Sequence, residues 1–247
     1  MIRAAAFAAI LLFSPAAFAD QTAIYKGQDG NHMTMEIADS GLVHVTGMAP
    51  GQSGIIRDGE YFLIFANNGP VRVFRAADMA AVLEETVGAR MRKILEKSGK
   101  TEAEPSSAPA IQHLGKTTVA GFSGERYIAN RSDKTERDEL DWVVTREPKL
   151  AAVRAAWEKL LRSMQTTRSS IVGSAAARKR DMALQLVALG APLRMAGFGM
   201  AGFELVSVKT GKIDPARFVL PTDPISRAQL MEEMMTPPSP SIAISTK

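Results

Sequence analysis

The chain contains no cysteine. That excludes disulfide staples, thiolate zinc or iron–sulfur centres, thiol nucleophiles and a lipidated N-terminal cysteine. Histidine is nearly as scarce, with three in 247 residues, which argues against a histidine-rich metal cage. Nowhere does the sequence reach the roughly 18 uninterrupted apolar residues that a membrane-spanning helix needs. What is present is an ordinary globular mixture, 46% hydrophobic and 23% charged, long enough for one large domain or two small ones.

The N-terminus carries the clearest signal. Arg3 is followed by an apolar run from Ala4 to Phe13, Pro15 breaks it, and Ala17-Phe18-Ala19 offers a small-x-small site before Asp20. This order reads as a secretory signal peptide over residues 1–19, cleaved after Ala19, and so as a periplasmic protein. With Arg3 removed, 29 basic against 26 acidic side chains leave a charge of +3. Export argues against a nucleic-acid partner, and anionic lipid headgroups or envelope polymers are the acidic surfaces within reach. A charge this small on a chain this long also reads as plain solubility.

The first half of the mature chain predicts an antiparallel meander. His32 to Ala38 alternates, Asp39-Ser40-Gly41 has turn chemistry, and Leu42 to Thr46 returns. That register sets Met35 and Ile37 opposite Val45 and Val43, with Glu36 opposite His44 on the polar face. Ile55-Ile56 leads to Asp58-Gly59, a hairpin signal, then to a strand over Tyr61–Ala66 and another over Val71–Phe74. Apolar residues at three- and four-residue steps predict a helix from Ala77 to about Lys97. Residues 98–110 read as a flexible linker.

Strand character resumes over Thr117–Ala129 and Leu140–Thr145. Pro148 then opens a helix whose stripe is Leu150, Val153, Trp157, Leu160, Leu161 and Met164. A helix over Ala175–Leu189, a glycine-punctuated stretch to Gly202 and a strand over Phe203–Lys209 follow. Asp223-Pro224 is expected to cap a helix ending near Met235, and residues 237–247 read as a disordered tail. The pattern predicts an α+β fold, a curved antiparallel sheet with helices covering one face, in a single domain over residues 20–236.

Three constellations invite a chemical reading. Gly197 to Gly202 spells G-x-G-x-x-G, but FELVSVKTGK beyond it alternates like a strand, whereas a dinucleotide site needs a helix there. A bend before a strand is the better reading. His32, Glu36 and His44 share a sheet face, yet Met33 and Met35 alternate with them and face away. We therefore assign no metal and no cofactor. No G-x-S-x-G, S-x-x-K or H-E-x-x-H occurs, and a triad using His113 would be defined by geometry alone. No catalytic residue is assigned, and the chain reads as a non-enzyme.

The phrases HMTMEIADSGLVHVTG, IIRDGEYFLIF, GKTTVAGFSGERYIA and IDPARFVLP resemble the DUF4412 group of exported proteins, similar in turn to the LolA/LolB-like lipoprotein-carrier fold. The resemblance covers about residues 22–75 and 111–221. It implies an incomplete antiparallel β-barrel with helices over its concave side, able to hold acyl chains between sheet and helices. On that implication the cavity candidates are Met33, Met35, Ile37, Val43, Val45, Phe62 and Ile64, with Met79, Leu83 and Trp157 from the helices. The expected ligand is a lipid or lipidated protein. The competing reading is a filled core and an envelope protein partner.

Overall fold

The computed structural model describes residues 19–67, 69–88, 94, 97, 110–130, 139–164, 173–197 and 202–236. The segment before residue 19, nearly all of the expected linker and the tail from 237 lie outside them.

Six strands come first: β1 (Gln21–Gly27), β2 (His32–Ile37), β3 (Val43–Ala49), β4 (Gln52–Arg57), β5 (Glu60–Phe65) and β6 (Arg72–Arg75). Helix α1 (Ala76–Leu83) runs into a π-helical turn over Glu84–Gly88. Strands β7 (Ala110–Val119), β8 (Phe122–Asn130) and β9 (Leu140–Thr145) follow. A 3₁₀ turn at Pro148–Leu150 then opens α2 (Ala151–Ser163), and α3 (Gly173–Leu189) returns the chain to the sheet. Strands β10 (Ala191–Ala196) and β11 (Phe203–Thr210) complete it, before a 3₁₀ turn at Pro215–Phe218 and α4 (Arg227–Met235).

The eleven strands of the described residues form one antiparallel sheet in the order β6-β5-β4-β3-β2-β1-β11-β10-β9-β8-β7. It does not close into a barrel, and β6 and β7 are its two ends. It is curved all the same, for β7 comes back within reach of β11. The first and last strands lie side by side at its centre, joined from Gln21–Thr210 to Gly27–Phe203. The expected α+β architecture with an open, curved antiparallel sheet is therefore what the chain adopts. No helix among the described residues is long and apolar enough to cross a membrane.

Period-two patterning explains the first hairpins. In β2 and β3, Met35 pairs with Val45, Ile37 with Val43 and Glu36 with His44, the register that the alternation dictates. Asp58 and Gly59 both take positive φ, 52° and 78°, the geometry of a tight two-residue hairpin. The helix expected from Ala77 to about Lys97 is helical at each of its described residues: α-helical to Leu83, π-helical over Glu84–Gly88, and α-helical again at Ile94 and Lys97.

Elsewhere the outcome differs from expectation for local reasons. The stretch around Gly121 is a hairpin rather than one strand, turning at Ala120-Gly121 with φ of 50° and 79°. Strands β1 and β10, absent from the expected elements, are both central. Helix α4 is capped by Ser226, not by Asp223-Pro224. The Ser226 side chain accepts from Gln229 N while the Gln229 side chain reaches back to the cap, a full capping box.

The core divides by sheet face. Helices α2 and α3 pack together and against β9 and β10, and α2 also reaches β1, β2 and β5. Beneath them lies a large cluster drawn from both halves of the sheet, including Tyr25, Met35, Val45, Trp142, Leu193 and Leu205. On the opposite face Ile55, Phe62, Ile64 and Val73 form a second cluster, with Leu220 packed on it. A third, built from Phe74, Val82 and Leu230, joins α1 to α4.

Candidate functional site

The face under α2 and α3 is built row by row. Register sets Ala23 beside Met35 and Tyr25 beside Met33, and then Met35 beside Val45. Helix α2 presents Val153, Ala156, Trp157, Leu160 and Leu161 to this face, the i, i+3, i+4 stripe of its sequence. Helix α3 adds Met182, Ala183, Leu186 and Val187.

The Tyr25 side chain carries a polar group into this apolar layer. The Tyr25 hydroxyl accepts from Trp157 Nε1 at 2.9 Å and donates to Pro192 O at 2.9 Å. The two rings meet edge to face, 5.7 Å between centroids. The latch ties α2 to β1 and β10, and burial pushes the Tyr25 phenol well above its usual range, so it remains a neutral donor. With every hydrogen-bonding role filled, its burial costs little.

The ten cavity candidates do not line one space. Met33, Met35, Ile37, Val43, Val45 and Trp157 converge in the cluster beneath α2. Phe62 and Ile64 point the other way. Tyr61 and Leu63 take the helix-covered side of β5, so period two sends their neighbours to the second cluster. Met79 packs in the third cluster, between α1 and α4, and Leu83 is half-buried at the end of α1, outside all three. The six convergent residues are packed against each other: Met33, Met35 and Val45 have no exposed surface.

Space is found instead at the rims of the sheet. A cleft of about 540 Å³ is lined by His113, Ser123, Glu125, Tyr127, Arg146, Glu147 and Leu189 among others. A second, of about 340 Å³, shares Thr145–Pro148 with it and adds Arg154, Glu158 and Gly190. His113 Nε2 lies 2.5 Å from Glu125 Oε2 and its ring rests on Tyr127. Ser123 lines the same cleft, and among the described residues no hydrogen bond joins it to His113. On the outer face, His44 Nδ1 meets Glu36 Oε2 at 2.7 Å, and Arg217 from the 3₁₀ turn holds the same carboxylate at 2.9–3.1 Å. Among the described residues no group of three or more His, Asp or Glu is placed to hold a metal.

Tyr25, Arg146 and Arg154 were not legible as site residues in the sequence. The alternation of Ala23 and Tyr25 with Thr22, Ile24 and Lys26 was the available sign for the first. The arginines had none, because their meeting depends on where α3 ends.

No protein family and no curated protein matches this chain. Among solved structures, an uncharacterized conserved protein from Thermus thermophilus aligns at 9% identity and a TM-score of 0.39, over 83% of this chain and 87% of that one. PNGF-II aligns at 13% and 0.41, over 87% of this chain, which spans only 32% of PNGF-II. Likenesses this weak carry no argument about fold or function.

Proposed function

We propose that the chain is an exported, non-enzymatic carrier that holds a lipid or lipidated ligand between its sheet and the α2–α3 cover. The observation that supports this most is the construction of that cover. A continuous apolar face is roofed by two helices from one insertion, and a buried polar latch ties the roof down. Methionines supply much of the layer: Met33, Met35, Met182 and Met195 are buried in it, with Met48 and Met164 packed against it. Unbranched, polarisable side chains repack readily around a guest.

The energies are compatible. Lifting α2 uncovers Val153, Trp157, Leu160 and Leu161, about 1.5–3 kcal/mol each, or roughly 6–12 kcal/mol. An acyl chain of about sixteen carbons, at ~0.8 kcal/mol per methylene, offsets that. The sequence resemblance to the DUF4412 group and its LolA/LolB-like carriers, with helices over the concave side of a part-barrel, points the same way. Cleavage after Ala19 leaves intact Asp20, whose carboxylate accepts from Asp39 N at 2.9 Å and Ile213 N at 2.8 Å.

The packed interior favours a second reading, a periplasmic module with a permanently filled core that binds an envelope protein. Mass spectrometry of an organic extract separates the two. The protein is purified from the periplasm without detergent, alongside Trp157→Phe, which loses the latch but keeps an aromatic ring. Carriage predicts stoichiometric lipid with the parent and faster exchange of it in the variant. Lipid-free protein in both leaves the filled-core reading.

A further inference from the structure

The two clefts beside β9 hold a set of charges that the packing leaves unused. Arg146 stands in the wall common to both, and Arg154 lines the smaller one. Each is fixed in the same manner. Arg146 Nε donates to Leu189 O at 3.1 Å, and Arg154 Nε donates to Val187 O at 3.1 Å. These are carbonyls of the last turn of α3, where a helix leaves its acceptors bare and its dipole negative. Capping explains the two Nε atoms. It leaves the terminal amino groups of both guanidinium ions without a partner among the described residues.

The neighbouring acids are divided just as sharply. Glu158 is taken by Arg162 at 2.7 Å, and Glu125 by His113 at 2.5 Å. Glu147, which lines both clefts, has no partner for its carboxylate among the described residues. The frame is rigid. A Cβ on Gly190 would collide with Thr145 O, so only glycine lets those two backbones meet. Gln21 Nε2 holds Lys149 O at 3.0 Å, and Thr145 Oγ1 donates to Ser123 O at 2.7 Å and accepts from Glu147 N at 3.3 Å.

Two pre-positioned guanidinium edges suit an oxyanion with several oxygens, and a guanidinium holds such a group through paired hydrogen bonds. A bare anion would meet the unpaired Glu147. A molecule carrying phosphate and ammonium on a short linker satisfies all three groups. We infer that Arg146, Arg154 and Glu147 form a receptor for a zwitterionic phosphoamine. Its source is either the headgroup of a lipid, in which case it rests on the carrier reading, or a free phosphoamine.

Calorimetric titration of the purified protein tests this with O-phosphoethanolamine, inorganic phosphate and dihexanoyl phosphatidylethanolamine. O-phosphoethanolamine should bind saturably and at least ~5-fold tighter than phosphate. Arg146→Lys and Arg154→Lys should each weaken it about 10-fold or more, since an ammonium cannot both cap α3 and grip two oxygens. Glu147→Gln, which touches no structural bond, should erase the preference over phosphate while phosphate binding persists. Absence of saturable binding by the parent overturns the inference, as does equal affinity in Arg154→Lys and Glu147→Gln proteins of unchanged melting temperature. If the short-chain lipid binds no tighter than its headgroup, the site stands and the carrier reading falls. If lipid co-purifies but none of the three variants alters headgroup affinity, the carrier reading stands and the site falls.

Discussion

Glu36 is the residue at which three pieces of chain are tied. It lies on β2, meets His44 of β3 and receives Arg217 from the 3₁₀ turn beyond β11. Burial by itself would raise its carboxyl, but the hydrogen bonds from Arg217 and His44, and their positive charge, outweigh burial and hold it below the ordinary range. A carboxyl lowered by folding stabilises the protein above its unfolded value of about 4.3. That contribution is lost as pH falls through the lower folded value. Glu36→Gln should therefore cost about 1–3 kcal/mol near neutral pH and flatten the acid limb of the stability profile. Urea denaturation at a series of pH values measures both. An acid limb as steep as the parent's would assign the pH dependence to another carboxylate.

Among the elements, α2 depends on its latch as well as on its apolar stripe. Tyr25→Phe leaves Trp157 Nε1 and Pro192 O without their shared partner, in a layer from which water is excluded, at a cost of about 1–3 kcal/mol. Amide hydrogen exchange should quicken over α2 more than over β2 and β3, and uniform quickening would count against a local role. How much of this was legible depended on whether an element announces itself locally. The hairpins β2–β3 and β4–β5 did, through strict alternation and an Asp-Gly turn. The α2 stripe did, because every third or fourth residue is large and apolar. Strand β10 did not: it contains Pro192, and the proline is accommodated by an irregularity in pairing with β9 that no local pattern reveals. The β7–β8 turn was hidden because Ala120 takes a conformation usually reserved for glycine or asparagine. The candidate site was half legible. Period two put Met33, Met35, Ile37, Val43 and Val45 on one face, and the structure packs them in one cluster, but it could not say which face of β5 would join them.

At the scale of the molecule, the main cluster runs without a break from β2 and β3 through β1 and β11 to β9. The two halves of the sheet should consequently unfold together, even in a chain larger than those usually held to two states. Trp142 and Trp157 both report from this cluster. Fluorescence and far-ultraviolet circular dichroism should therefore give superimposable denaturation curves, whereas separated midpoints would mean independent halves. The adjacency of β1 and β11 has one more consequence, for synthesis. The strand made first has its central partner in the strand made last, so a growing chain cannot finish the middle of its sheet before β11 leaves the ribosome.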